Sequence, residues 1–407
     1  MRILFLSPRL CWPLITGARI REYHLARALA RQGEVTYVSF IQPGFPTPAV
    51  ADLSFFREVR LVPLSGRYSL TKIVRGMLGP RPLSLLNYTT PEMKAAVAQA
   101  AAGGRFDLVH VDSCHMAEYV PVLENLWGKP ARVVYDWHNI ESEIMGRFAA
   151  NVRSVPKKIY SRLTAHRLAA LERWILDTGF GHVVCSPREK EELLRIAPAA
   201  RLAVIENGVD SEHFAPSTGL AAGARERLVF VGTLDYHANI DGVVWFAERI
   251  WPRIRERFPS WKLVLVGANP APAVLDLRSQ PNIEVTGTVD DVRPFYRDAL
   301  AAIVPLRTGG GTRLKILEAM AAGIPVVSTS LGAEGLAITP GQDIDIADDE
   351  SDWLPRLEAL AAQPALWNER SAAGRTLVRT AYDWQMLGER LYAEYCGWLQ
   401  SGQGKDG

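Results

Sequence analysis

Between Pro305 and Ala321 the chain reads PLRTGGGTRLKILEAMA, where the consecutive glycines Gly309, Gly310 and Gly311 run through Thr312 into a segment carrying Arg313, Lys315 and Glu318. Glycine lets a backbone turn sharply and approach a ligand closely, and a helix N-terminus offers unpaired N–H groups and roughly half a positive charge. That combination suits a phosphate. Arg313 and Lys315 add full charge, and Glu318, further along the same segment, is placed to accept hydrogen bonds from sugar hydroxyls. The local chemistry is that of a nucleotide carrying a diphosphate. A glycine-rich turn whose charges merely face water has the same composition, so the reading depends on its surroundings.

Four other stretches carry candidate chemistry. In VFVGTLDYHANIDG, Val229 to Gly242, Gly232 gives close backbone access to a diphosphate, and Thr233, His237 and Asn239 offer polar contacts. In SPRLCWPLITGAR, Ser7 to Arg19, Gly17 stands just before a helix whose first turn carries Arg19 and Arg21. A backbone N–H near Gly17 can meet phosphate or acceptor, although a lone glycine equally serves as a helix cap. Asp136, Trp137, His138 and Asn139 form a polar cluster at the carboxyl end of an apolar run. His138 is the catalytic candidate, because an imidazole of near-neutral pKa donates or accepts a hydrogen bond at a reacting hydroxyl. His110, Asp112 and His115 follow another strand end, and with Arg19 and Asp136 they make the acceptor-side candidates. Asp290 and Asp291 flank a loop after IEVTG rather than forming a D-x-D pair with further ligands, so no metal site and no cofactor are expected.

Positioning these residues requires a scaffold of strands. Short β-branched or leucine-rich runs recur at 3–6, 35–40, 107–111, 132–137 and 182–186, each followed by a helical pattern, the first being Ala18 to Arg31. After the Gly-, Ala-, Ser- and Pro-rich stretch Asn207 to Arg227 a second series runs at 227–232, 261–267, 283–287, 301–306 and 325–329. Such alternation predicts parallel sheets with helices on both sides. The expectation is an α/β protein of two doubly wound Rossmann-like domains facing across a cleft, with ligands at the carboxyl ends of the strands. The expected segments are an acceptor-binding domain over 1–206, a donor-binding domain over 207–380, and a C-terminal helix and tail over 381–407, the helix near Trp384 to Leu399 being free to pack back on the first domain.

Composition agrees with this. A chain of 407 residues with 48% hydrophobic content has core enough for two domains, and without low-complexity tracts it should be folded apart from Ser401–Gly407. Cys11, Cys114, Cys185 and Cys396 are widely separated and make no C-x-x-C pair, which argues against a zinc knuckle or disulfide framework and for a cytosolic protein. The apolar opening Ile3–Leu6 is too short for a secretory signal. No apolar run reaches membrane-spanning length. Net charge is only +2, yet Arg60, Arg67, Lys72, Arg75 and Arg81 lie in one window without acids, and Arg147, Arg153, Lys157, Lys158, Arg162 and Arg167 in another. The second interleaves its charges with Ile159, Leu163 and Leu168, a pattern suited to an anionic lipid surface or a lipid-linked phosphate, or to a solvated helical face. A cytoplasmic protein, peripheral on the inner face of a membrane, follows from the first alternative. Nucleic acid is disfavoured because no binding motif accompanies the charge.

In order, ENGVD with Phe214, VGTLDYHANIDGVVWF, LVLVGANP, IEVTGTVDDVRPFY and PLRTGGGTRLKILEAMAAGIPVVST resemble the C-terminal half of family 4 glycosyltransferases of the GT-B fold. SPRLCWPLITGARIREYHLARALA and YDWHNIESEI are similar to the same family, particularly to sugar transferases of bacterial exopolysaccharide gene clusters. The resemblance implies a retaining transferase that takes a UDP- or GDP-sugar and delivers the sugar to a lipid-linked or saccharide acceptor. It assigns Gly17 to the glycine loop touching donor and acceptor, His138 to the histidine contacting the transferred sugar, and Glu318 to the ribose. Two departures stand out. The glutamate that the family pattern places before the ribose-binding one falls on Gly310, and its diphosphate-binding Arg and Lys fall on Thr233 and Asn239. Arg313 and Lys315 are the candidates to restore the missing charge. An epimerase or hydrolase of the same fold and an inactive sugar-nucleotide-binding partner are the competing readings.

Overall fold

The computed structural model describes residues 1–45, 49–64, 72, 76, 79, 81–152, 154–216, 225–309 and 313–403. Gly310, Gly311 and Thr312, and with them Arg67, Arg75 and Arg153, lie outside the described residues. The chain divides into one unit of Met1–Glu206 with Leu387–Gly407 and a second of Asn207–Met386.

Among the described residues the first unit is built on seven strands, β1 (Arg2–Ser7), β2 (Glu34–Ile41), β3 (Glu58–Pro63), β4 (Leu108–Asp112), β5 (Val133–Trp137), β6 (Gly181–Val184) and β7 (Leu202–Val204). They lie in the order β3-β2-β1-β4-β5-β6-β7, every neighbouring pair parallel. The second sheet comprises β8 (Arg227–Val231), β9 (Lys262–Val266), β10 (Ile283–Gly287), β11 (Ala299–Val304), β12 (Val326–Ser328) and β13 (Asp345–Ile346). Its order is β10-β9-β8-β11-β12-β13, again all parallel. The central strands β1, β4, β5 and β11 are near-continuous apolar runs because helices cover both faces of a parallel sheet. In each sheet the strand order reverses beside the first strand, β1 or β8, which places the connections leaving those strands at the usual ligand position.

Six helices matter for the site: α1 (Gly17–Gln32), α2 (Glu141–Asn151), α3 (Val155–Thr178), α4 (His237–Trp245), α5 (Leu314–Ala321) and α6 (Trp384–Gln403). Thr16 caps α1, its hydroxyl accepting from the Arg19 N–H at 3.5 Å. α5 buries Ile316, Leu317, Ala319 and Met320, and the chain leaves it through Gly323 at φ +76°, a conformation that favours glycine. From Leu387 onward α6 belongs to the first unit, and small residues on both sides of the contact explain the close fit. A Cβ on Gly388 would lie 2.0 Å from the Ala28 Cβ, and one on Gly181 would lie 2.5 Å from the Trp398 ring. Among the described residues no helix is long and apolar enough to cross a membrane.

Candidate functional site

In the first unit, parallel pairing sets Asp112 at the end of β4 beside Asp136 near the end of β5, and the chain then turns through His138. Asp112 Oδ1 sits 2.6 Å from His138 Nε2, with Asp112 fully buried and the histidine 13% exposed. Burial opposes charging of the imidazole, but the carboxylate outweighs it and raises the His138 pKa above its ordinary value. The same pairing holds Asp112 below the usual carboxylate range despite burial. Nε2 is thereby committed to Asp112. His138 Nδ1 makes no hydrogen bond among the described residues.

Asp136 is the partner of Arg21, whose Nη2 and Nε reach its carboxylate at 2.9 and 3.1 Å. Arg21 Nη1 also donates to the carbonyls of Ile205 and Glu206 at 2.7 and 3.1 Å. Its side chain has no exposed surface. Arg21 therefore does not present charge at the start of α1, as its place in the sequence suggests. Asp136 spends its charge on this clamp rather than on an acceptor. His110 is also interior: its Nδ1 meets the Tyr395 hydroxyl of α6 at 2.6 Å, its ring stacks on Phe5 with centroids 4.0 Å apart, and burial pushes its pKa down to about 4. His110, Asp112 and Asp136 offer ligand atoms within 4.8 Å of one another. A metal ion there would compete with Arg21 for one carboxylate and with His138 for the other.

Two cavities open at this end of the sheet. A small one of about 90 Å³ is lined by Arg9, Ser113, Asp136, His138, Asn139 and Glu141 among others. A larger one of about 840 Å³ is lined by Arg9, Thr16, Arg19, Phe45, Tyr88 and His115 among others. Arg9 borders both. Gly17 is the exposed first residue of α1, between Thr16 on the larger cavity and Ala18 on the smaller. His115 is held by Ser113 Oγ at 2.7 Å, and burial lowers its pKa to about 4. Of the acceptor-side candidates, Arg19 and His115 thus face the larger cavity, Asp136 borders the smaller, and His110 lines neither.

In the second unit the structure brings together residues far apart in sequence. Lys315 Nζ, on the first turn of α5, donates to Asn239 Oδ1 on α4 at 2.7 Å and lies 4.3 Å from the Phe230 ring centroid. Asn239 Nδ2 donates in turn to the Thr233 carbonyl at 2.7 Å. A Cβ on Gly232 would lie 3.0 Å from Lys315 Nζ and 3.1 Å from Asn239 Nδ2, so the absence of a side chain there makes room for the cluster. Burial, then the charge of Arg313, lowers the Lys315 pKa to about 7. Burial raises the Glu318 carboxyl to about 7, with Lys315 pulling the other way. Both groups are poised to change charge when a ligand supplies counter-charge or hydrogen bonds. Arg313 is 4% exposed and occupies the N-cap of α5. Its Nη2 donates to the carbonyls of Leu331 and Gly309 at 2.9 and 3.3 Å. Sequence spacing places it in the first turn beside Lys315; here it ties the start of the glycine stretch to a neighbouring loop. Gly309 itself has φ +95°.

The Arg21 clamp and the Tyr395 contact escaped the sequence reading, since their partners lie 115 and 285 residues away and no local pattern marks them. Asp290 and Asp291 form no ligand cluster among the described residues, and Asp291 pairs with Arg293 at 2.8 Å.

Comparison with known proteins places this arrangement. Residues 15–213 match the model described as Glycosyltransferase Family 4, and residues 225–362 match Glycosyl transferases group 1. The chain is 24% identical over 394 residues to the phosphatidyl-myo-inositol mannosyltransferase of Mycobacterium tuberculosis, covering 93% of this chain and 92% of that one. It is 28% identical over 131 residues to an uncharacterized protein of the cps region of Klebsiella pneumoniae, a match spanning 30% of this chain and 34% of that one. Among solved structures, Anabaena HepE in complex with UDP-glucose superposes with a TM-score of 0.61 at 14% identity, covering 98% of this chain and 100% of that one. With two parallel Rossmann-like units, matched in turn by two transferase models, the chain belongs to the family 4 glycosyltransferases of the GT-B fold.

Proposed function

We propose that the chain is a retaining glycosyltransferase that moves a sugar from a nucleotide-diphospho-sugar to an acceptor hydroxyl in bacterial polysaccharide or glycolipid synthesis. The observation that carries this reading is the position of Lys315 Nζ, 2.7 Å from Asn239 Oδ1 and against Gly232. Asn239 is where the family pattern expects a diphosphate-binding cation, and α5 supplies one to that point from another part of the chain. In this reading the leaving diphosphate meets Lys315 and the N–H groups at the start of α5, and Glu318 receives the ribose hydroxyls. Gly309 and Gly232 offer the diphosphate close backbone access. The Anabaena structure holds UDP-glucose, which favours a UDP-sugar. The mycobacterial relative is named for a mannosyltransferase acting on a lipid, and the Klebsiella relative comes from a cps region.

Lys315→Met should raise the donor KM about tenfold or more, corresponding to loss of one charge-assisted contact of ~1.5–3 kcal/mol. A panel of UDP- and GDP-sugars with mass-spectrometric and NMR product analysis identifies the donor and the product anomer. An inverted anomer, or a donor KM indifferent to Lys315→Met, overturns the reading. Full turnover of donor without acceptor points instead to an epimerase or hydrolase.

The acceptor side is assigned to a membrane surface. On α2 and α3, Phe148, Val155, Ile159 and Leu163 are 54%, 66%, 64% and 39% exposed, and the last three recur at i, i+4, i+8. Leu168, by contrast, is buried. Exposed Arg147, Lys157 and Arg162 accompany this apolar stripe, which is the composition of an interfacial helix facing anionic lipid. The protein should co-sediment with phosphatidylglycerol-containing vesicles at low salt, and Ile159→Glu should release it. Equal recovery with neutral and anionic vesicles contradicts the assignment.

A further inference from the structure

We infer that the larger cavity of the first unit seats a phosphate group carried by the acceptor, held between the guanidinium groups of Arg9 and Arg19. The inference rests on the glycosyltransferase reading above and adds the chemical class of its second substrate.

Arg19 is only 6% exposed, yet its Nη1 has no hydrogen-bond partner among the described residues. Its guanidinium carbon lies over the Phe45 ring, 4.1 Å from the centroid, a contact that leaves its charge unneutralised. No ion pair to a described residue involves Arg9 or Arg19, whereas the fully buried Arg21 has Asp136. A buried cation without a counter-charge is costly, and a bound anion removes that cost.

The surrounding charges are consistent with an anion arriving. Burial, then the positive charge of Arg9, lowers the pKa of Arg19. Asp112, Glu22 and Glu141 together outweigh burial and raise the pKa of Arg9, so the uncompensated cation of the pair is Arg19, on which Glu22 acts without reversing the downward shift. Asp112 is engaged by His138, and Glu22 accepts from the Tyr37 hydroxyl at 2.6 Å while burial raises its pKa well above the usual range. The other walls include Phe45, Tyr88 and Tyr160, and the volume of about 840 Å³ admits a phosphorylated sugar or a lipid headgroup with part of its chain. Two guanidinium forks presented by separate residues suit the several terminal oxygens of a phosphate better than one planar carboxylate. Because Arg9 also lines the cavity beside His138, a phosphate seated here leaves the rest of the acceptor next to the candidate catalytic histidine.

The test uses the full chain saturated with UDP or GDP, so that the nucleotide site is blocked, titrated calorimetrically with sn-glycerol 3-phosphate and separately with farnesyl phosphate. Both should bind, and Arg19→Leu should weaken each about tenfold or more. Arg19→Lys should retain part of the affinity. The same variants should bind nucleotide as the parent does and melt no lower than it, which separates loss of the seat from loss of the fold. Tighter binding of farnesyl phosphate identifies a lipid source for the phosphate, and equal binding a soluble one. Absence of phosphate binding by the parent, or unaltered binding by Arg19→Leu, overturns the inference. A chain that binds glycerol phosphate through Arg19 but transfers no sugar keeps the seat and sinks the transferase reading. Transfer to uncharged acceptors at rates indifferent to Arg19→Leu does the reverse.

Discussion

Replacing Asp136 by alanine is expected to lower the thermal midpoint of the first unit by about 10 °C, because it strands a cation with no exposed surface. Removing one partner of a buried, hydrogen-bonded ion pair costs ~3–5 kcal/mol, and in a unit of this size each kcal/mol moves the midpoint by roughly 2–4 °C. Arg21 satisfies Asp136 and at the same time anchors the carbonyls of Ile205 and Glu206. The double replacement Arg21→Met with Asp136→Leu should recover much of the loss, since two apolar side chains leave no charge behind. Scanning calorimetry of the three variants decides the matter. An unshifted midpoint for Asp136→Ala would show that the clamp contributes nothing, and a double variant no better than the single would point to the Ile205 and Glu206 contacts as the larger part.

The second large effect concerns turnover. His138→Ala should reduce kcat about a hundredfold while donor affinity holds, the range in which a positioned proton donor or acceptor contributes. Asp112 raises the pKa of His138 above its ordinary value, so the charged pair is fully formed below pH ~6.5 and is lost as pH rises through the folded-state pKa. Stability from the pair therefore declines on the alkaline side, and a step in which the ring donates through Nδ1 declines over the same window. In Asp112→Asn the raising charge is gone and burial prevails, which moves the alkaline limb of the kcat profile to lower pH. An unmoved limb in Asp112→Asn would sever this histidine from the rate, as would a His138→Ala enzyme within threefold of the parent.

The scaffold was legible because its central strands are buried on both faces and so spell out apolar runs. ILFL, VVYDW and LVLV carry that signature. The strands that went unread are edges or fragments: β3 is only partly buried and mixes Glu58 and Arg60 among its valines, while β7 and β13 span three and two residues. Side-chain partnerships were less legible. The motifs named His138, Lys315 and Asn239 individually, but the proximity of Asp112 to His138 depends on the register of two parallel strands, and that of Lys315 to Asn239 on two helices 76 residues apart. Arg21 and Arg313 show the converse. Each has the residue type of an anion ligand near a helix start, and each is occupied by acceptors from its own framework. Counting cations around a motif therefore overstates those available to a ligand.

The return of α6 to the first unit bears on how the chain comes off the ribosome. Residues from Leu387 onward supply Gly388 against Ala28, Tyr395 against His110 and Trp398 against Gly181. The amino-terminal half, synthesised first, must therefore wait with these surfaces uncovered until the stretch from Leu387 onward has been translated. A nascent chain arrested before Leu387 should expose them to chaperones and proteases even with its second unit already assembled.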